Sequence, residues 1–311
     1  MYPCTPFCLL IKCINKLQRQ GFAASMIKDH PNLLPYLAVT LGVLCIGTSA
    51  IFVKLAGTPG SVSAFYRVTF AGAALLPLFM LRRKKLHLPR ADLGWIALGG
   101  LLLALDLALW QTAILLTSAA AATLLANNSP IWVGLGAMLI FHERLSGKYW
   151  LGLFIALGGM AFIVGGNTAA LRFNTGDLLS IGASFIYASY MLVTQKARLH
   201  TDTLTLNTLT MLVGILILLP LNLALGQELS GFSTRTWLAL VGLGLLPQFL
   251  GWLAINYAMG HLHAARVSVI LLGQSVVTAV LGVLLLGEAL SAAELLGGLL
   301  VLGGIYLVNK R

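Results

Sequence analysis

The stretch "FHERLSGKYWLGLFIALGGMAFI", residues 141–163, returns 145 residues later as "LGEALSAAELLGGLLVLGGIYLV", residues 286–308. Eight of the 23 positions are identical without a gap: Glu143/Glu288, Leu145/Leu290, Ser146/Ser291, Leu151/Leu296, Gly152/Gly297, Leu157/Leu302, Gly158/Gly303 and Gly159/Gly304. Shared apolarity alone does not reproduce both double glycines in register. Working outward, apolar runs between breakers give ten spans, near 35–55, 61–81, 92–114, 118–140, 148–166, 177–195, 203–224, 234–258, 264–286 and 291–309. The breakers are "GTPGS" (57–61), "RRKKLHLPR" (82–90) and "NTG" (174–176), among others. Five spans per copy is an odd number, so the two copies must face opposite ways through a bilayer. Inverted repeats of this kind mark secondary transporters, whose substrate site lies near the midplane between the halves.

Composition agrees. The chain is 59% hydrophobic and 9% charged, with mean hydropathy +0.92. A soluble domain carries roughly a quarter of its residues charged. Runs of ~20 apolar residues are long enough to cross ~30 Å of hydrocarbon. The expected fold is all-α and polytopic: ten transmembrane helices as two inverted five-helix repeats, 35–166 and 175–309. The formal charge of +11 does not indicate nucleic acid, because the basic residues collect in short connections. Sixteen of the twenty lie at the termini or in alternate loops, among them Arg82, Arg83, Lys84, Lys85, Arg144 and Arg198. The other side has only Lys54, Arg172 and Arg235, and Arg67 falls within a span. The positive-inside rule then places both termini in the cytoplasm and the protein in the cell membrane.

Residues 1–34 read as a cytoplasmic extension. "PFCLLI" is too short for a signal-peptide core, and its basic residues follow it. The segment is either a surface amphipathic helix or precedes the true start at Met26, where "MIKDHPNLLPYLAV" leads into the first span. Cys4, Cys8 and Cys13 have no metal-ligand spacing, so reduced thiols are expected. No cofactor or metal is expected. The histidines lie in loops or near span ends and no H-E-x-x-H occurs, which disfavours an intramembrane enzyme.

The paired "E-x-L-S" segments, Glu143–Ser146 and Glu288–Ser291, resemble those of the drug/metabolite transporter superfamily, in its ten-span branch with two EamA-type domains. "AFYRVTFAGAALLPL" (64–78) and the alanine-rich "QTAILLTSAAAATLL" (111–125) are similar to that family's span 2 and its entry into span 4. The resemblance implies export or exchange of a small metabolite, often an amino acid or derivative, without an ATP-binding subunit. It also makes Glu143 and Glu288 family markers, expected at membrane surfaces as caps or anchors of the following helices.

Polar intruders mark the candidate site. Asn127, Asn128, Ser129 and Pro130 interrupt span 4, and Asn128 is ten residues, or about 15 Å, deep. The same shift carries Asn128, Ser129 and Pro130 onto Gly273, Gln274 and Ser275 of span 9, at the same depth. A central pocket is one reading. The other is local repair of the helix break at Pro130, or bonding across helices. Gln248, Trp252 and Asn256 share one helix face at i, i+4, i+8, and Asn256 matches Gln111, beside Trp110. Amides with indoles suit a small amphipathic solute, although Trp252 could instead face lipid. Arg67 and Asp106 lie at similar depth and must face protein or water. They form an ion pair, or Asp106 carries a coupling proton or meets a substrate amine. Span 5 and span 10 glycines are read as helix-packing surfaces. Expected partners are the lipid bilayer, a small-molecule substrate and protons as coupling ion, with no nucleic acid, for a monomer or homodimer. An uncoupled uniporter or channel-like facilitator is the alternative.

Overall fold

The computed structural model describes residues 33–81, 90–116, 119–164, 174–286 and 291–310. Every regular element among them is a helix. In chain order they are α1 (Leu33–Gly47), α2 (Ser49–Ala56), α3 (Gly60–Met80), α4 (Arg90–Leu116), α5 (Ala119–Ala126), α6 (Ser129–Ile140) and α7 (Gly147–Val164). The second half holds α8 (Thr175–Ala197), α9 (Thr203–Ala224), α10 (Thr234–Leu243), a π-helical segment (Gly244–Gly251), α11 (Trp252–Met259), α12 (Ala264–Leu271), α13 (Gly273–Leu286) and α14 (Ala292–Asn309). Eight helical stretches are long and apolar enough to cross a membrane, and Leu124–Ile140 and Gly147–Ile163 are shorter apolar helices. Large side chains such as Leu139, Leu216, Leu284 and Leu299 stand exposed on the outer surface. A polar solvent would not tolerate so broad an apolar coat. This is a multi-pass membrane protein.

Sequence chemistry explains where the helices start and break. Asn174 and Asp177 cap α8 reciprocally, as do Ser291 and Glu294 at α14. Ser146 holds the matching position before α7, its Oγ accepting from the Tyr149 N–H at 3.4 Å. The serine of each "E-x-L-S" therefore starts the helix, and Glu143 does not cap α7. Glu288 lies outside the described residues. The span 4 and span 9 interruptions are real breaks, at Asn127–Asn128 and at Leu272, and these are equivalent positions of the two repeats. Two further irregularities have no counterpart in the other half. Helix α1 yields to α2 at Thr48, whose Oγ1 bonds the Cys45 carbonyl at 2.6 Å, whereas α8 is continuous. The π segment around Pro247 separates α10 from α11, whereas α4 is continuous.

The halves interlock rather than sit side by side. Helix α4 packs along α8, and the repeat-equivalent elements, α1–α2 and α10–π–α11, pack on each other. Helix α3 lies on α9 and α7 on α14. Gly152 and Gly159 show how close the last pair comes. A Cβ at Gly152 would sit 2.7 Å from the Gly304 carbonyl oxygen, and one at Gly159 would sit 2.6 Å from that of Gly297. Contacts of 152 with 304 and of 159 with 297 run in opposite chain directions, so α7 and α14 are antiparallel. They also exchange equivalent glycines, as a two-fold relation between the repeats demands. The expected small-residue faces thus pack on each other.

Candidate functional site

Two groups of helices meet across the centre. One comprises α4, α5–α6 and α8; the other comprises α1–α2, α10–π–α11 and α12–α13; α3 and α9 flank them. The matched breaks face each other at this junction. Gln274, in the first turn of α13, donates its Nε2 to Asn127 Oδ1 at 3.1 Å. The residue that meets Gln274 is Asn127, two positions before Ser129, the repeat equivalent of Gln274, and one before the candidate Asn128. Asn128 occupies the N-cap position of α6 without a side-chain cap bond. Pro130 is the second residue of α6 and is buried, where a missing N–H costs nothing because early helical N–H groups have no intrahelical partner. Ser275 repairs the other break, its Oγ donating to the Leu272 carbonyl at 2.6 Å. Beside it Thr278 Oγ1 donates to the Gly47 carbonyl at 2.8 Å, tying α13 to the end of α1.

Arg67 is 4% exposed and donates its Nε to Gln248 Oε1 at 2.5 Å. Gln248 is fully buried, and its Nε2 points at Met211 Sδ, 3.4 Å away. The π segment sets the position of Gln248 on this face. Asp106 is half-buried, and no hydrogen bond or ion pair within 4.0 Å joins it to any described residue. The direct Arg67–Asp106 contact considered from sequence is not formed. The two remain within electrostatic reach of each other and of Tyr187. Gln248, not Asp106, holds the guanidinium in place, leaving its Nη edge free for another acceptor.

Trp252 is 3% exposed and buried against Tyr190 and Tyr187, with ring centroids 5.2 and 5.9 Å away in edge-on geometry. The lipid-facing reading of Trp252 is therefore excluded. Asn256 donates to Asn207 Oδ1 at 3.0 Å, and its own Oδ1 is buried with no hydrogen-bond partner. The Tyr190 hydroxyl lies among Asn256 and Thr194. The i, i+4, i+8 face thus turns inward as a unit. Met211, Tyr187, Tyr190 and Asn207 were not anticipated, although "YASY" (187–190) placed two tyrosines on one helical face. Gln111 stands apart from this cluster. Its side chain is buried against the backbone at Gly60, with neither amide atom hydrogen-bonded, and Trp110 beside it is half-buried.

At the end bearing the 141–146 and 198–202 connections, Glu143 Oε1 accepts from Gln195 Nε2 at 2.9 Å and lies 2.8 Å from His263 Nδ1. Gln195 Oε1 in turn accepts the Ala264 N–H at 2.7 Å. Arg198, just past α8, donates its Nε to the Asn256 carbonyl at 2.9 Å and also bonds Thr201 O. Burial pulls the Arg198 guanidinium below its ordinary pKa, with Asp202 opposing. Among the described residues no three His, Cys, Asp or Glu side chains group to hold a metal ion.

The EamA-like transporter family model matches residues 33–165 and again 174–310. An uncharacterized transporter of Archaeoglobus fulgidus is 26% identical over 88% of this chain and 96% of its own length. A probable terminal-alkyne amino-acid exporter of Streptantibioticus cattleyicolor is 30% identical over 88% of this chain and 92% of its own. One solved crystal structure superposes with a TM-score of 0.77 at 20% identity, covering 88% of this chain and 96% of that one. The polar junction at matched helix breaks and the doubled family match have one explanation: the chain belongs to the EamA-like transporter family, within the drug/metabolite transporter superfamily, and is a membrane transporter.

Proposed function

We propose that this protein is a ten-span secondary transporter of the cell membrane, with two inverted repeats (35–166 and 175–309) and both termini cytoplasmic. It exports or exchanges a small metabolite by alternating access. One observation carries the reading: where the two helix groups meet there is a buried polar cluster, and a hydrogen bond joins the breaks at equivalent positions of both repeats. Bistable packing around such a centre is what alternating access requires. The antiparallel packing of α7 on α14 supports the inversion.

The chemistry of the cluster favours a small zwitterionic solute. Arg67 offers its Nη edge to a carboxylate, a match that guanidinium geometry makes bidentate. Asp106, held apart from Arg67 and without a hydrogen bond to any described residue, serves an amine or a coupling proton. Tyr187, Tyr190 and Trp252 supply an aromatic wall. The amino-acid exporter among the relatives is consistent with this class. The test is a comparison of intracellular and extracellular metabolite pools in cells with and without the protein, alongside Arg67→Gln. A zwitterionic metabolite should move outward with the protein and stay inside with Arg67→Gln at equal membrane abundance. A solute that moves equally with both variants would remove Arg67 from the site.

A further inference from the structure

Hydrogen bonds between the two helix groups are unevenly distributed through the depth of the bundle. Among the described residues they lie at the midplane (Gln274–Asn127) and at the basic end (Glu143–His263, Gln195–Ala264 N–H, Arg198–Asn256 carbonyl). None of the described ones lies toward the opposite end. The basic-end set centres on one side chain. Glu143 leaves the α6–α7 connection, engages Gln195 near the end of α8 and meets His263 at the start of α12. By holding the Gln195 amide it orients Oε1 onto the first free N–H of α12. A carboxylate shared between two donors in this way gives charge-assisted bonds, about twice as strong as neutral ones. His142, with φ 53°, adopts the left-handed turn that brings Glu143 into reach.

We propose that Glu143 is the positioning residue of a cytoplasmic gate: a latch of Glu143, Gln195 and His263 that joins the two helix groups when the cytoplasmic side is closed and must part for it to open. The latch spans the two groups that alternating access would separate. Its Glu143–His263 and Gln195–Ala264 contacts cross between the groups, whereas a merely structural anchor would bond only within one; the Glu143–Gln195 bond, inside one group, holds the two crossing contacts together. The positions equivalent to Gln195 and His263 carry different residues. Shifting by the repeat spacing places Ala50 at the position of Gln195 and Ser118 at that of His263. The latch thus belongs to one face only.

The inference rests on the proposed alternating-access reading, and sided labelling separates the two. In a background with Cys4, Cys8, Cys13 and Cys45 replaced, Ser268→Cys reports from one turn inside the latch. Ser268 is 2% exposed in the closed arrangement. Trp110→Cys reports from the far half of α4. A membrane-impermeant maleimide is applied from either side to the purified, reconstituted protein. Glu143→Ala should raise the labelling rate of position 268 from the cytoplasmic side about tenfold, equivalent to losing ~1.4 kcal/mol of closure. Position 110 should become slower to label from outside. Gln195→Ala should act similarly, and the double variant should add little, because one latch is broken once. Glu143→Gln, which keeps an acceptor for Gln195, should give an intermediate rate and guards against a folding defect. Unchanged labelling at 268 overturns the latch and leaves alternating access untouched. Faster labelling at both reporters means general loosening and also overturns it. A rise at 268 without a fall at 110 supports the latch and counts against alternating access.

Discussion

The Asp106 carboxylate and the Arg67 guanidinium share a depth in the sequence, yet the structure gives Arg67 to Gln248. That changes what mutants should do. Gln248→Leu leaves a buried guanidinium N–H without its acceptor, a loss of about 1.5–3 kcal/mol for a bond to a charged group. Its folded yield and melting temperature in detergent should fall. Asp106→Asn removes no hydrogen bond to a described residue, so its melting temperature should stay close to the parent's, while transport driven by a pH gradient should be lost. A large drop in stability for Asp106→Asn would instead point to a structural ion pair with Arg67. Asn127 and Asn128 form a similar contrast. Asn127→Leu removes the partner of Gln274 and should reduce transport more than Asn128→Leu at matched abundance; equal losses would point to a role for both side chains. The sequence showed that polar groups gather at this depth, because their type and spacing are visible there. Which amide meets which depends on helix rotation around each break, and a break frees that rotation from the 3.6-residue period.

At the scale of elements, the duplicated "GG" pairs show what a repeat reveals and what it hides. The repeat located both glycine-rich helices, and their small residues signalled close packing. It did not tell that only the second glycine of each pair is in the contact. A Cβ at Gly158 or Gly303 would meet nothing within 4 Å, whereas one at Gly159 or Gly304 would press into the opposite backbone. Gly158→Ala should therefore leave thermal stability within ~0.5 kcal/mol of the parent. Gly159→Val should destabilise by about 1–3 kcal/mol through forced separation of α7 from α14. Equal effects in a melting series would contradict the antiparallel glycine crossing. Helix boundaries followed the sequence to within a few residues because breakers and caps are local. The π segment and the α1–α2 break were invisible to it. The π segment contains Pro247, which has no N–H for the regular ladder, and at the α1–α2 break Thr278 of the other half donates to the Gly47 carbonyl.

For the whole molecule, the positive residues and the inverted repeat argue for one topology, which sided labelling checks directly. Single cysteines at Thr58 and Arg172 should react from outside, and one at Leu86 only after permeabilisation. External labelling at Leu86 would reverse the orientation and place the Glu143 latch on the outer face. The all-helical, multi-pass class and the family were readable because they depend on composition, period and duplication, which are written along the chain. The latch was not, since Glu143, Gln195 and His263 are separated by 52 and 120 positions and meet only through tertiary packing. In the proposed function the two halves alternate access to the polar junction and couple that motion to a gradient. The most direct test is flux into proteoliposomes of the solute identified by the pool comparison, under an imposed pH gradient and without nucleotide. Gradient-coupled alternating access gives accumulation above the external concentration, abolished when the gradient is collapsed and absent in Asp106→Asn. Flux that only equalises the two sides, with or without the gradient, would contradict it.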